Sequence, residues 1–517
     1  MQEPFLKPGI IPRAYQSAIA HSALSRGNTL VVLPTGLGKT LVAFLVMEKK
    51  LQEGRVAFLA PTKPIVQQHY RTFLEMTNVP ESEAALITGE VSPKKRMELW
   101  ARKACFSTPQ SLQNDLKAGR TGASFSLCVI DETHRAVGNY AYTFVAEKCA
   151  EAGCMLLGLT ASPGGDRKRI GEIISALGIQ NIEIRTADDA DVAPYVKPLA
   201  VNFIRVPLGE EFSEIRNLLQ EMLADNAKYL ANYGFVAPLR SKRGLVELRG
   251  RILRSSDRVK YTALSFYSSV FNCVHMLELI ETQGLSTFLA YVEKLRAREE
   301  TKARRRIFSD RRFEKILELC RSASEHPKLN ELLKLAAARR GEKMLVFAQY
   351  RDQVAAIVEA LRRNGYSAER FMGKKDGVTA EEQRKTIARF ASGEFAIMVA
   401  TSIGEEGLDI PSVDTVVFFE PIPSEIRSIQ RRGRAGRLKA GNVFVLITSG
   451  TRDEAYFHSA RKKEESMRRI VGKMQREFSG GRAPAKKQPA VSSDAVVVGA
   501  RKKRRAGGQV QKKITDF

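Results

Sequence analysis

Short, unbroken apolar runs that end in turn or polar residues fall into two groups along the chain. The first comprises NTLVVLPTG (28–36), RVAFLAPT (55–62), FSLCVIDE (125–132) and CMLLGLTAS (154–162). The second comprises KMLVFAQY (343–350), FAIMVATS (395–402), TVVFFEP (415–421) and GNVFVLIT (441–448). Runs without polar alternation suit parallel strands covered on both faces. Helical stretches such as LVAFLVMEKKLQEG and EEQRKTIARFASGE separate them. Strand and helix in alternation predict an α/β fold, and two groups predict two such domains.

Between the groups the period changes. Phe212, Ile215, Leu219, Met222, Leu223, Tyr229 and Tyr233 follow a helical repeat. HMLELIETQGLSTFLAYVEKL (275–295) continues helically with one glycine break, so an all-α domain is inserted here. It carries basic stretches at 240–260 and 294–315, readable either as solvated helix faces or as a polyanion surface. From about residue 476 Gly, Ala, Pro, Ser, Lys and Arg dominate, which predicts a disordered basic tail. The expected divisions are 1–204, 205–330, 331–475 and 476–517.

Composition sharpens this picture. In 517 residues, 83 are Lys or Arg and 57 Asp or Glu, a net +26 that favours polyanionic partners, nucleic acid first. The six cysteines form no metal-ligand spacing, and several sit in apolar runs, as buried thiols do in a reducing cytosol. The N-terminus has no apolar segment of signal-peptide length, and no unbroken apolar run approaches ~20 residues, so no membrane partner is expected.

LPTGLGKT (33–40) follows an apolar strand and precedes an apolar helix. In that setting Gly36 and Gly38 turn backbone N–H groups around phosphate oxygens. Lys39 neutralises the terminal phosphates and Thr40 offers a hydroxyl to Mg²⁺. Leu33 stands where the strict pattern has glycine. Asp131 and Glu132 end the run LCVIDE, where carboxylates are costly unless compensated. Asp131 suits a water-mediated ligand of the Mg²⁺ on ATP, and Glu132 is placed to orient and deprotonate an attacking water.

LPTGLGKT, DETH (131–134), TAS (160–162) and QRRGRAGR (430–437) together resemble motifs I, II, III and VI of superfamily 2 helicases. APTKPIVQQH (60–69), STPQ (107–110) and ATSIGEEGLDIP (400–411) resemble motifs Ia, Ib and V, in family order. The resemblance implies two RecA-like domains with parallel sheets and ATP in the cleft between them. By position, Arg13 and Gln16 resemble the motif that reads adenine, and Pro34, Thr35, Gly36, Leu37, Gly38, Lys39 and Thr40 the phosphate loop. His134, Thr160 and Ser162 resemble the groups coupling the γ-phosphate to nucleic acid. Gly407 and Asp409 resemble nucleotide contacts of motif V, and Gln430, Arg434 and Arg437 face the γ-phosphate, the arginines as fingers. Thr62, Thr108 and Thr401 match contacts to strand phosphates, which position without reading sequence.

HMLELIETQG (275–284) and HPKL (326–329), flanking the insert, narrow the resemblance to archaeal Hef and FANCM-like helicases. It implies a cytoplasmic, nucleoid-associated archaeal enzyme that acts on forked or branched DNA. No G-D-x…E-R-K-x-x-x-D signature follows residue 450, so nuclease activity is not expected in this chain, and a separate nuclease is a candidate partner. In the closing QKKITDF, Gln511, Ile514 and Phe517 have the spacing of a motif that binds the PCNA sliding clamp. Two alternatives stay open: a duplex-RNA translocase of the Dicer and RIG-I-like group, and a scaffold that binds branched DNA and recruits the clamp.

Overall fold

The computed structural model describes residues 5–34, 36–138, 140–164, 167–186, 189–195, 200–239, 241–255, 257–372, 378–401, 412–421 and 441–479. Thr35, Gly407, Asp409, Gln430, Arg434, Arg437, Gln511, Ile514 and Phe517 lie outside them, as does the segment 480–517. The described residues hold the expected two parallel sheets and helical insert.

The first sheet contains β1 (Thr29–Val32), β2 (Val56–Leu59), β3 (Ala84–Ile87), β4 (Ala104–Ser107), β5 (Leu127–Asp131), β6 (Met155–Thr160) and β7 (Asn181–Ile184). Their order is β3-β4-β2-β5-β6-β1-β7, with every pairing parallel. Side chains alternate faces along a strand. Leu30, Ala57, Leu59, Cys128 and Ile130 therefore enter one core, and Val31, Val56, Phe58, Leu127 and Val129 the other. Two cores, one on each face, explain why these strands read as unbroken apolar runs. Helices α1 (Ala14–Arg26), α2 (Lys39–Lys50), α3 (Lys63–Met76), α4 (Pro93–Leu99), α5 (Pro109–Lys117), α6 (Ala141–Glu151) and α7 (Arg167–Leu177) cover the faces. All six cysteines of the chain are buried free thiols.

The insert comprises α8 (Glu210–Asn232), α9 (Lys242–Leu253), α10 (Asp257–Thr282), α11 (Leu285–Arg296), α12 (Lys302–Phe308) and α13 (Arg311–Ser322). Phe212, Ile215, Leu219, Met222 and Leu230 of α8 are buried, but Tyr229 and Tyr233 lie off that stripe and are exposed. In α10, Val259–Thr282 has mean hydropathy 1.2, long and apolar enough by length and composition to cross a membrane. Here it is the central helix of the bundle, packed against α8, α9, α11 and α12.

After α14 (Pro327–Ala338), the second sheet contains β9 (Met344–Ala348), β10 (Ala368–Phe371), β11 (Ile397–Thr401), β12 (Thr415–Phe418) and β13 (Asn442–Thr448), with α15 (Arg351–Arg363) and α16 (Ala380–Ser392) beside them. Its sixth strand is β8 (Ala200–Val206), paired with β13 over Asn442–Thr448, in the order β10-β11-β9-β12-β13-β8. A division at 204/205 therefore cuts a strand, and 200–206 joins the second domain. The reason is pairing: β8 is an edge strand whose partner lies more than 240 residues downstream. Likewise α17 (Arg452–Ser479) runs past 475, and its Ile470 and Met474 pack into the core of the first domain.

The two insert-flanking motifs meet at a buried polar junction. His326 caps α14 by accepting from the Lys328 N–H at 3.2 Å. Lys328 is wholly buried and donates to Asp453 Oδ2 at 2.9 Å. Glu278 and Glu281 face Arg452 at 3.6 Å each. Burial pushes the nearby Glu420 carboxyl up to about 8 against the opposing Lys328 charge. HMLELIETQG and HPKL thus root the insert on the second domain.

Candidate functional site

All strands of the first sheet run in one direction, so their carboxyl ends share one edge. In open α/β sheets ligands bind outside that edge. The chain leaves β1 through Leu33, whose N–H donates to Thr160 O at 3.1 Å. It turns back through Gly36 (φ 89) and Gly38 (φ 78), and Lys39 and Thr40 open α2. Pro34 O accepts from the Leu37 N–H at 3.3 Å and closes the turn. At Gly38 both the left-handed φ and the space demand glycine, because a Cβ would stand 2.2 Å from Gln16 Nε2. The Lys39 ammonium donates to Leu33 O at 3.0 Å, so the residue that breaks the strict pattern serves through its backbone.

Gln16 braces this loop. Its Nε2 donates to Leu37 O at 3.0 Å, its Oε1 accepts from the Arg13 N–H at 2.8 Å, and the Tyr15 hydroxyl also donates to Leu37 O, at 2.8 Å. The Arg13 guanidinium lies 4.7 Å above the Tyr195 ring, an aromatic contact with no warning in the motifs.

Asp131 closes β5. One of its oxygens, Oδ2, is 3.0 Å from His69 Nε2. Its backbone carbonyl accepts from the Tyr142 hydroxyl at 2.7 Å. His69 ends the run APTKPIVQQH, and nothing in that run marks it as the neighbour of Asp131. Its distance from Asp131 along the chain hid it.

Glu132 has φ 51 and ψ 48 and is the only non-glycine with positive φ among the described residues. Non-glycine residues seldom hold that conformation, and strained ones cluster at functional sites. Its Oε2 lies 3.2 Å from His134 Nδ1, which is also 3.4 Å from Thr160 Oγ1. Thr160 Oγ1 in turn accepts from the Ser162 N–H at 3.1 Å. Burial opposes charge on Glu132, but the His134 hydrogen bond and the charges of Lys39, His134 and Arg135 outweigh it and hold the carboxyl at about 2. Lys39, Glu132, His134, Thr160 and Ser162 thus form one connected set.

The expected phosphate contacts differ among themselves. Thr62 stands at the N-terminal cap position of α3, and its hydroxyl is shielded with no hydrogen-bond partner among the described residues. The Thr108 hydroxyl is engaged at home, accepting from the Ser111 N–H at 3.3 Å and meeting Ser111 Oγ at 2.9 Å. Thr401 ends β11, at the carboxyl edge of the second sheet.

Three family models match the chain: type III restriction enzyme, res subunit, over 10–165; the helical bundle of putative ATP-dependent RNA helicases over 211–326; and the helicase conserved C-terminal domain over 327–439. A putative ATP-dependent RNA helicase of Methanocaldococcus jannaschii is 41% identical over 92% of this chain and 62% of its own length. The ATP-dependent DNA helicase mph1 of Neurospora crassa is 33% identical over 89% of this chain and 43% of its own. The DEAD-box ATP-dependent RNA helicase FANCM of Arabidopsis thaliana is 33% identical over 89% of this chain and 36% of its own. The chain therefore spans between 36% and 62% of these curated relatives. The crystal structure of the Pyrococcus furiosus Hef helicase domain matches with TM-score 0.73 and 42% identity, over 88% of this chain and all of that one. With that whole domain covered and the motif residues of its first half joined at one sheet edge, the chain belongs to the superfamily 2 helicases of the Hef and FANCM-like group.

Proposed function

We propose that the protein is an ATP-dependent DNA helicase or translocase that acts on forked or branched DNA in fork repair and recombination. The observation that carries the reading is the connected set from Lys39 through Glu132 and His134 to Thr160, on the edge where a parallel sheet receives nucleotides. Lys39 would hold the terminal phosphates. The ionised Glu132 would orient the attacking water, and at a pKa of about 2 it would act by orientation and charge more than as a strong base. His134 would report the state of the phosphates to Thr160 and Ser162, and through the strand ends to Thr62.

Thr40 and Asp131 are hard oxygen donors of the kind Mg²⁺ prefers. His69 Nε2 holds Asp131 Oδ2 at 3.0 Å, and a carboxylate with a hydroxyl is a donor set whose chemistry fits the ion. Mg²⁺, when bound, would supply positive charge to the phosphates. Gln430, Arg434 and Arg437 would reach the γ-phosphate from the second domain, and Gly407 and Asp409 would lie near the nucleotide. Domain closure would then couple hydrolysis to stepping along a strand.

The DNA reading rests on the mph1 relative, named a DNA helicase. A duplex-RNA-directed activity is the second reading, because two relatives and the helical-bundle model carry RNA helicase names. ATP turnover measured with forked DNA, plain duplex DNA and duplex RNA separates them. Forked DNA should stimulate most. Stronger stimulation by RNA overturns the DNA reading, and tight fork binding without turnover favours the scaffold.

The partners proposed are branched DNA, the PCNA clamp through Gln511, Ile514 and Phe517, and a separate nuclease, with the work done at the nucleoid in the cytoplasm. Calorimetric titration of the full chain into the cognate clamp should give binding heat that Phe517→Ala removes. Equal heat from both chains overturns the clamp assignment.

A further inference from the structure

The exposed end of α8 carries an organised stack. Tyr229 is 53% exposed, and its ring lies 4.8 Å from Phe266 of α10 with an interplanar angle of only 16°. The Arg306 guanidinium of α12 lies 3.8 Å from the centroid of the same Phe266 ring. Arg306 is itself fixed, with Nη1 donating to Ser269 Oγ at 2.8 Å and to Ser265 O at 3.4 Å. Three helices thus each contribute one planar group, and the Arg306 group is held by hydrogen bonds to α10. A tyrosine serving only the bundle core would lie in the buried stripe of α8, which Leu230 occupies beside it. Tyr229 instead stacks on Phe266 and stays about half exposed, which leaves ring surface for a second flat partner.

We propose that Tyr229 is a base-stacking post, whose open face receives an unpaired nucleobase of a single-stranded arm. This rests on the reading that the protein acts on branched DNA. Every base has a π face, so such a contact tolerates any sequence, and a ring held in place by Phe266 and Arg306 loses little freedom on binding. Bases inside a duplex have both faces covered, so only an unpaired one fits. Lys228 of α8 and Lys302 of α12, on two of the three helices that build the stack, are both exposed and add the positive charge that phosphates next to such a base would meet. That basic charge favours nucleic acid, while a protein partner would use Tyr229 with the exposed Tyr233 four residues on, and its binding would not depend on bases.

The test is fluorescence anisotropy with the full chain at one fixed salt concentration. Two forked DNAs are compared, one with natural arms and one with abasic sugars throughout the unpaired arms. Tyr229→Ala should weaken binding to the natural fork about tenfold, the order expected for one stacked base. It should leave binding to the abasic fork almost unchanged, and Tyr229→Phe should behave as wild type on both. An equal loss on both forks marks a merely structural role, and no loss on either marks an idle surface ring; both results overturn the proposal. If the wild-type chain does not bind forked DNA, the branched-DNA reading falls together with the stack. If it binds and Tyr229→Ala shows no dependence on the bases, the stack alone falls.

Discussion

Glu132→Gln should lower nucleic-acid-stimulated ATP turnover by about two to four orders of magnitude, with nucleotide affinity nearly unchanged. The substitution keeps the size of the side chain and removes its charge. Two features of the wild-type site depend on that charge: the His134 Nδ1 contact at 3.2 Å is charge-assisted, and Lys39 faces a counter-ion. With the carboxyl at about 2, Glu132 is ionised throughout the neutral range. It therefore adds no titration of its own to the pH–rate profile there. The sign follows from the downward shift: its charge is lost only as pH falls through about 2. Lys39 and the loop amides, which would carry nucleotide binding, are untouched, so binding and turnover should separate. Steady-state turnover beside equilibrium binding of a fluorescent nucleotide checks this. Turnover close to wild type in a purified, nucleotide-binding Glu132→Gln protein would remove Glu132 from the chemistry.

Much of this site is legible along the chain, because each motif packs its chemistry into a few consecutive residues at the end of one strand. LPTGLGKT, DETH and TAS need no long-range knowledge, since an apolar run followed by glycines or acids already announces a parallel strand and its carboxyl end. What stays hidden depends on partners far apart. Nothing near Gln16 says that its amide braces Leu37 O, and nothing near Asp131 says that His69 will hold it. The edge strand β8 sits in the second domain because of pairing with β13, which local pattern does not encode. Thr108 shows a local partner that its motif position does not announce: its hydroxyl accepts from the Ser111 N–H, an N-cap bond that still leaves the hydroxyl a proton to donate. Helical period also overstated burial at Tyr229, since a stripe 3.6 residues apart turns the residue beside Leu230 outward.

Asp115→Ala should destabilise the first domain by about 3–5 kcal/mol, the cost of breaking a buried charged cluster by removing one side. Asp115 has no exposed surface. Its two oxygens accept from Arg96 Nε at 2.8 Å and Nη2 at 3.0 Å, Trp100 Nε1 at 2.8 Å and Arg120 Nε at 2.6 Å. Burial opposes its charge, yet the hydrogen bonds from Arg96, Trp100 and Arg120 hold the carboxyl below its usual range. Alanine leaves the buried Arg96 without its counter-ion and the indole N–H of a fully buried tryptophan without an acceptor. An exposed pair in the same domain, Lys103 with Glu83 at 2.9 Å, sets the contrast: it is hydrated before and after loss, so Lys103→Ala should cost between about 0 and 1 kcal/mol. Trp100 is the only tryptophan in the chain, so its emission during denaturant unfolding reports this domain and no other. A large drop in midpoint for Asp115→Ala beside almost none for Lys103→Ala is expected. Equal midpoints for the two variants would mean that the cluster is hydrated enough to tolerate the loss, and that α4 and α5 are fastened by their apolar contacts alone.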